Sequence, residues 1–329
     1  MVTILGIEST AHTFGVAVIK DGKILSNVKD SYTTESGGMI PIEVRKHHER
    51  VSAELYTKAL ETASTNEKEI DAIAFSAAPG LAPCLLAGLE FVKKKAKELN
   101  VPVVPVNHCI AHLAIGESVG AKDPVMLYAS GANTQIIAYE AGKYRVFGET
   151  LDIGVGNFID TFARFAGLGF PGGPKIQELA KNSTNLIELP YVIKGMDMSY
   201  TGLETKLKTL LAKGEKLEDL SYSLQEYVFA VLVEASERAL AHTGKKELVL
   251  GGGVACNPKL QEMCKIMCEE RGVKFFCPER SLLVDNAGMI GYLGQKMFTS
   301  GVFVPVDKLD ELDINPKERT DMVTVTWNK

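Results

Sequence analysis

No apolar run in this 329-residue chain approaches the ~18–20 residues of a membrane-spanning helix, and the N-terminus has no signal-peptide layout. Both absences point to a cytoplasmic protein with no membrane partner. The six cysteines (Cys84, Cys109, Cys256, Cys264, Cys268 and Cys277) form no CxxC pair and no dense disulfide framework. Cys264 and Cys268 stand one helical turn apart, a spacing that permits metal binding, but buried free thiols are the simpler reading. Positive charge is short as well: 36 Lys and Arg face 41 Asp and Glu, a formal net charge of −5. Such a balance argues against a self-sufficient nucleic-acid binder. An RNA substrate would need partner subunits or local patches, of which Arg45-Lys46-His47-His48-Glu49-Arg50 and Lys93-Lys94-Lys95 with Lys97 are the two candidates. The lysine run reads more simply as a solvated helix face. Neither a Walker A nor a GxGxxG pattern occurs, and no low-complexity linker divides the chain.

What is present suits a soluble globular protein, with 46% hydrophobic and 23% charged residues and a length that fits two domains. Ile4 to Ile7 reads as a strand, Glu8-Ser9-Thr10 as a polar turn and Gly15 to Ile19 as a second strand. The Asp21-Gly22 hairpin turn leads to a third strand over Lys23 to Asn27. A helix from about Glu43 to Ala63, strand Ala72 to Ser76, a helix ending near Leu99 and strand Val101 to Val106 follow. The same grammar restarts at Val125, with strands Val125 to Ala129, Gln135 to Tyr139 and Tyr144 to Gly148. Helices are then expected around Phe158–Ala166, Lys175–Lys181, Gly202–Lys213 and Leu220–Thr243. Strand Glu247 to Leu250, a helix to Arg271, strand Val273 to Phe276 and a helix from Asp285 complete the pattern. A three-strand meander thus twice precedes alternating helices and strands, an internal duplication of architecture. Two related α/β lobes would bring their first polar turns to one cleft, where ligands favour binding. The tail from Pro305 reads as charged and irregular until Val323-Thr324-Val325.

Asn107-His108-Cys109-Ile110-Ala111-His112 is the sharpest local signal. Residues i and i+4 share a helix face, so both imidazoles can reach one metal ion, with Asn107 as N-cap of a half-buried helix. Two histidines leave a metal short of ligands, and by themselves are often unrelated polar positions. The spacing equals that of the HExxH metallopeptidases, but the general-base glutamate of that motif is replaced by Cys109. Tyr128-Ala129-Ser130-Gly131-Ala132-Asn133-Thr134 joins two strands through small residues and can form an anion-binding nest, with the Ser130 and Thr134 hydroxyls as further donors. Gly251-Gly252-Gly253 between a strand and a helix, and Phe170-Pro171-Gly172-Gly173-Pro174, permit close approach of a flat ligand. Together these loops favour a nucleotide cleft.

GIESTAHTFGVAVI at 6–19, NHCIAH at 107–112, YASGANTQ at 128–135, FPGGP at 170–174, MDMSYTGL at 196–203, GGGVACN at 251–257 and DNAGMI at 285–290 occur in order. Over nearly the whole chain this resembles the TsaD/KEOPS catalytic-subunit family, formerly labelled O-sialoglycoprotein endopeptidases. Ala11-His12-Thr13 points to its archaeal and eukaryotic branch. The resemblance implies an α/β actin-like ATPase (ASKHA) fold of two duplicated lobes around a nucleotide cleft. It implies a first lobe over 1–122, completed by 298–329, and a second over 123–297. It further implies transfer of threonylcarbamoyl from threonylcarbamoyl-adenylate to N6 of adenosine 37 in tRNAs reading codons that begin with A. His108, His112, Tyr128 and Asp285 match the family's ligands for one divalent metal, iron or zinc. Tyr128, Ala129, Ser130, Gly131, Ala132, Asp160, Gly173, Gln177 and Asn257 match its adenylate site, which ATP can also occupy. Asp160 would accept from ribose hydroxyls, and Asn257 would read the adenine edge. Ala132 and Gln177 depart from the family's glycine and glutamate, which puts a charge-dependent role at 177 in doubt. Implied partners are tRNA and the KEOPS subunits: an atypical small kinase, a small dimerising subunit and an accessory subunit. A metallopeptidase and an actin-like small-molecule kinase or ATPase remain the alternatives, since a fold does not select a reaction.

Overall fold

The computed structural model describes residues 1–34 and 39–328. In the first half β1 (Thr3–Glu8), β2 (Thr13–Lys20) and β3 (Lys23–Ser31) form an antiparallel meander. Asp21 and Gly22 both take positive φ at its second turn, as an Asp-Gly hairpin requires. Then come α1 (Pro41–Ala63), β4 (Ala72–Ala78), α2 (Ala82–Leu99), β5 (Val103–Asn107) and α3 (His108–Ala114), which starts where β5 ends. The parallel strands β4 and β5 extend the sheet from β1, giving the order β3-β2-β1-β4-β5.

The second half repeats this plan with β6 (Val125–Ala129), β7 (Thr134–Glu140) and β8 (Lys143–Glu149). After them come α4 (Val155–Phe165), α5 (Gly173–Ala180), a small hairpin of β9 (Ile193–Lys194) and β10 (Asp197–Met198), α6 (Thr201–Ala212) and α7 (Leu217–Thr243). The chain continues through β11 (Glu247–Gly251), α8 (Pro258–Arg271), β12 (Lys274–Phe276), α9 (Arg280–Leu283) and α10 (Ala287–Thr299). The sheet order β8-β7-β6-β11-β12 matches the first sheet strand for strand. The duplicated grammar of the sequence is therefore a duplicated topology. The β9–β10 hairpin was not foreseen, because two-residue strands carry no periodicity.

Five layers result. Leu5, Ile7, Phe14 and Val16 of the first sheet pack on α1 and α2. Its other face, with Ile4, Ala74 and Val106, meets α3 and α10, which also touch Met126, Tyr128 and Val249 of the second sheet. The far face of the second sheet, with Leu127, Ile136 and Leu250, is covered by α4, α6, α7 and α8. Every residue of β1 is buried, as befits a central strand covered on both sides. Helix α10 approaches β1 without intervening side chains: a Cβ on Gly6 would lie 2.3 Å from the Ala287 carbonyl oxygen and 2.8 Å from Gly291 N. It packs on the first sheet, although the division expected from the sequence counts it with the second lobe.

The tail forms no strand at Val323–Val325 but is not loose. Val304 pairs with Val103 at the edge of the first sheet. Asn315 N–H donates to the Ala77 carbonyl at 2.9 Å, and Arg319 pairs with Glu149 of β8 at 3.0 Å. Val323, Val325 and buried Trp327 pack into the core shared by the two sheets. Residues 315–328 thus run from one lobe onto the other as a strap. The cysteines are all unpaired, four buried and two partly exposed.

Candidate metal and nucleotide site

The ends of β1, β5, β6 and β11 bring their following residues together between the lobes, the usual ligand position in such sheets. Asn107 caps α3 as the sequence suggests, its Oδ1 accepting from the N–H groups of Cys109 (3.1 Å) and Ile110 (3.2 Å). The expectation of a half-buried helix needs correction. All seven residues of α3 are buried, because it lies in the layer between two sheets. The His108 and His112 rings stand edge to face with centroids 4.8 Å apart. Asp285 arrives from the loop before α10, its Oδ1 3.4 Å from His108 Nε2 and 3.5 Å from His112 Nε2. The Tyr128 hydroxyl lies 3.1 Å from His108 Nε2. Donor atoms of His108, His112 and Asp285 all fall within 4.8 Å of one another. Both ring nitrogens of His112 are buried, Nδ1 with no partner and Nε2 with only the Asp285 carboxylate, at 3.5 Å. An orphan of that kind costs about 1–3 kcal/mol unless a ligand takes it, so the donor set fits a metal ion.

Sequence reasoning missed Glu8. Its side chain is fully buried, with Oε2 2.9 Å from His108 Nδ1. Its Oε1 accepts from Thr10 N–H at 2.7 Å and from the Thr10 hydroxyl at 2.5 Å. A carboxylate there holds the proton on Nδ1 and turns Nε2 toward Tyr128 and Asp285, as outer-shell carboxylates do for metal-ligating histidines. Its signal was an acidic residue ending a wholly apolar strand, read only as part of a polar turn. Burial opposes charge on His108, but the negative charge of Glu8, helped by Tyr128 and Asp285, holds it well above the usual imidazole range. Burial also works against the Asp285 carboxylate, yet hydrogen bonds from His108 and His112 keep it well below its ordinary value. Burial lowers His112 and pushes the Tyr128 phenol up.

Beside this cluster is a cavity of about 310 Å³. Gly131, Asp160, Gly173, Gln177 and Asn257 line it, five of the nine residues that the resemblance assigns to the adenylate. The other four are not in its wall. Tyr128 points into the histidine cluster, Ala129 is buried in the second-lobe core, and Ser130 and Ala132 form the adjoining turn. That turn is partly engaged by the fold itself. Ser130 N–H donates to the Asn133 carbonyl, while the carbonyls of Ser130 and Gly131 accept from Gly156 and Asn157 at the start of α4. Gly154 and Gly156 permit the contact, since a Cβ on either would come within 2.3 and 2.7 Å of the turn's backbone. Thr134, expected as a ligand donor, is instead buried and accepts from Val155 N–H at 2.7 Å.

Asp160 Oδ1 accepts from Gly172 N–H at 2.7 Å, and burial raises its pKa despite that bond. Asn257 Oδ1 caps α8 through Lys259 N–H (2.9 Å) and its Nδ2 donates to Gln225 Oε1 (2.7 Å). The two groups expected to read adenine are therefore already used within the fold. Gln225, a cavity residue with no motif to announce it, is linked to them. The basic patches are partly neutralised locally: Arg45 pairs with Glu49 and Glu90, Lys46 with Glu43, Lys94 and Lys95 share Glu98, and Lys97 pairs with Asp310. His47 and His48 are buried.

A family model described as tRNA N6-adenosine threonylcarbamoyltransferase matches residues 23–292. The chain belongs to this threonylcarbamoyltransferase family. It is 52% identical over 325 residues to the tRNA N6-adenosine threonylcarbamoyltransferase of Thermococcus kodakarensis, covering 98% of this chain and 99% of the relative. A probable bifunctional tRNA threonylcarbamoyladenosine biosynthesis protein of Methanosarcina mazei is 49% identical over 330 residues, covering 99% of this chain and 60% of that protein. Among solved structures, HypF of T. kodakarensis superposes with a TM-score of 0.64 at 16% identity, over 91% of this chain and 48% of its own. The Acidaminococcus fermentans 2-hydroxyglutaryl-CoA dehydratase component A gives 0.55 at 15% identity, over 94% and 100%. These structural likenesses show the fold, which is the actin-like one. Among the described residues no helix is long and apolar enough to cross a membrane. The threonylcarbamoyltransferase family is also the one its ordered motifs resemble.

Proposed function

We propose that this chain transfers the threonylcarbamoyl group of threonylcarbamoyl-adenylate to N6 of adenosine 37 in tRNA, as the catalytic subunit of a cytoplasmic KEOPS-type complex. One observation carries the reading: two buried histidines and a partly buried aspartate, with one imidazole nitrogen unsatisfied, sit beside a nucleotide-sized cavity between two lobes. His108, His112 and Asp285, with Tyr128 as fourth donor, would hold one divalent ion, iron or zinc. Such an ion supplies Lewis acidity and a template for the carbamoyl end. Glu8 keeps the proton on His108 Nδ1, so that Nε2 is presented to the cleft.

Asp160, Gly173 and Gln177 hold the nucleoside, with Asp160 Oδ2 facing ribose hydroxyls and Gln177 contributing hydrogen bonds without charge. The nearest thiol on α3, Cys109, is buried and pushed up by that burial, which suits neither a peptidase base nor a covalent intermediate. Direct attack of the adenosine amine follows, with AMP as leaving group. Because most of the basic-patch residues are paired with acids and the net charge is −5, partner subunits supply much of the positive charge that tRNA needs. The lobes divide near residue 122, with the chain after α10 returning to the first lobe at Val304 and the strap then crossing to the second.

The test is transfer from purified threonylcarbamoyl-adenylate to tRNA, with and without the partner subunits, together with metal analysis of the protein. His108→Ala with His112→Ala should abolish product and bound metal together. Undiminished turnover in that double variant would refute the role of the cluster.

A further inference from the structure

Two cations stand where the cavity meets the histidine cluster. Arg280, the first residue of α9, lines the cavity. Lys29, on β3 of the other lobe, donates from Nζ to the Asp285 main-chain carbonyl at 3.1 Å. The ionisable groups acting on the Lys29 ammonium are Asp285, Cys256, Glu8 and Arg280, and those acting on the Cys256 thiol of the cavity wall are Arg280 and Lys29. The two side chains therefore share one neighbourhood, reached from opposite lobes. Among the described residues neither is in an ion pair with a carboxylate. The nearest carboxylates, Asp285 and Glu8, are turned to His108 and His112, so the two cations remain able to take an anion between them.

We propose that Lys29 and Arg280 form the phosphate clamp of the acyl-adenylate. This rests on the transfer reading above, which places the nucleoside in the cavity and the acyl end at the histidine cluster. The phosphate joins those two parts, and the cation pair lies at their junction. When the N6 lone pair bonds to the carbamoyl carbon, the bond from that carbon to the phosphate oxygen breaks. The electron pair stays on the phosphate, AMP departs with one more negative charge, and the amine proton passes to water. Cations at this point gain attraction as the charge grows, which is where binding accelerates a reaction. Arg280 can offer two parallel N–H groups to phosphate oxygens, and Lys29 a point charge.

The test compares AMP with adenosine as ligands of the whole protein by calorimetry, with N-carbamoylthreonine as third probe. Wild-type protein should bind AMP roughly tenfold or more tightly than adenosine, the effect of about one charge-assisted hydrogen bond. Lys29→Gln with Arg280→Gln should erase that preference and leave adenosine affinity unchanged, while Arg280→Lys retains most of it. Unchanged AMP affinity in the double variant overturns the proposal, as does an equal loss for AMP and adenosine, which would mean a damaged cavity. A loss confined to N-carbamoylthreonine overturns it too, by moving the pair to the threonine carboxylate. The two readings fail separately. Absent transfer with the AMP preference intact leaves the clamp standing, and normal transfer without that preference removes only the clamp.

Discussion

Glu8 and His48 show what single buried side chains contribute here. Glu8→Gln keeps the shape of the carboxylate and removes its charge, so His108 loses the group that fixes its tautomer. Metal affinity should fall about 10–100-fold, measured by competition with a chelator of known affinity. An unchanged affinity would mean that α3 alone orients the ring. His48 lies under the first turn, its Nε2–H donating to the Ala11 carbonyl at 2.9 Å beside Phe14. Burial lowers its pKa from 6.5 to about 4. A depressed pKa in the fold means that the unfolded chain takes up the proton first. Its contribution is complete above pH 6.5 and lost as pH falls to about 4, a loss of about 3 kcal/mol. Denaturant titrations at several pH values should show a shallower acid slope for His48→Gln than for wild type, and parallel slopes would contradict it. The spacing of the histidine pair drew attention to it, but by itself left two unrelated polar positions as ready a reading. Tyr128 and Asp285 were legible only through the family motifs, because nothing local ties them to residues so distant in sequence.

Among the elements, α3 and α10 position the site. The histidine helix follows β5 without a loop because Asn107 ends the strand and caps the helix at once, and its Nδ2 also donates to Glu318 of the strap at 2.9 Å. Asn107→Ala should cost about 1–2 kcal/mol in denaturant unfolding, and a smaller loss would mean that packing alone holds the turn. The helix expected to begin at Asp285 begins at Ala287, since Asn286 Oδ1 accepts from Met289 N–H at 3.0 Å and acts as the cap. That offset leaves Asp285 outside the helix and facing the histidines. The Gly6→Ala substitution forces α10 from β1, and should destabilise by about 1–3 kcal/mol or more while weakening metal binding, because Asp285 travels with the helix. Loss of stability with metal affinity intact would uncouple the two. Strand and helix positions were readable because their apolar periods are long. The depth of α3 was not, since seven residues cannot report a second sheet above them.

At the scale of the whole molecule, duplication was visible as repeated grammar, whereas the strap was not, because irregular backbone has no period to detect. Yet Thr320 and Trp327 are buried, and Thr320 reaches the Cys109 thiol beneath it. Removing residues 313–329 should lower the unfolding midpoint and make Cys109 reactive to a thiol reagent. A truncated protein with unaltered thiol reactivity would show that the strap is dispensable.

The scattered origin of the metal donors has a mechanical consequence. His108 belongs to the first lobe, Tyr128 to the second, and Asp285 to the segment joining the second to α10. An ion seated among them would be a reversible cross-link between the two halves, added to their shared core and the strap. Its occupancy would set how far the cleft can gape, and parting the lobes would require surrendering a ligand. Heat resistance should then track free metal, rising by about 2.7 kcal/mol at a hundredfold excess over the dissociation constant and vanishing under a chelator. Such a rivet lets one ion decide both when the cleft is ready for chemistry and how long the fold survives.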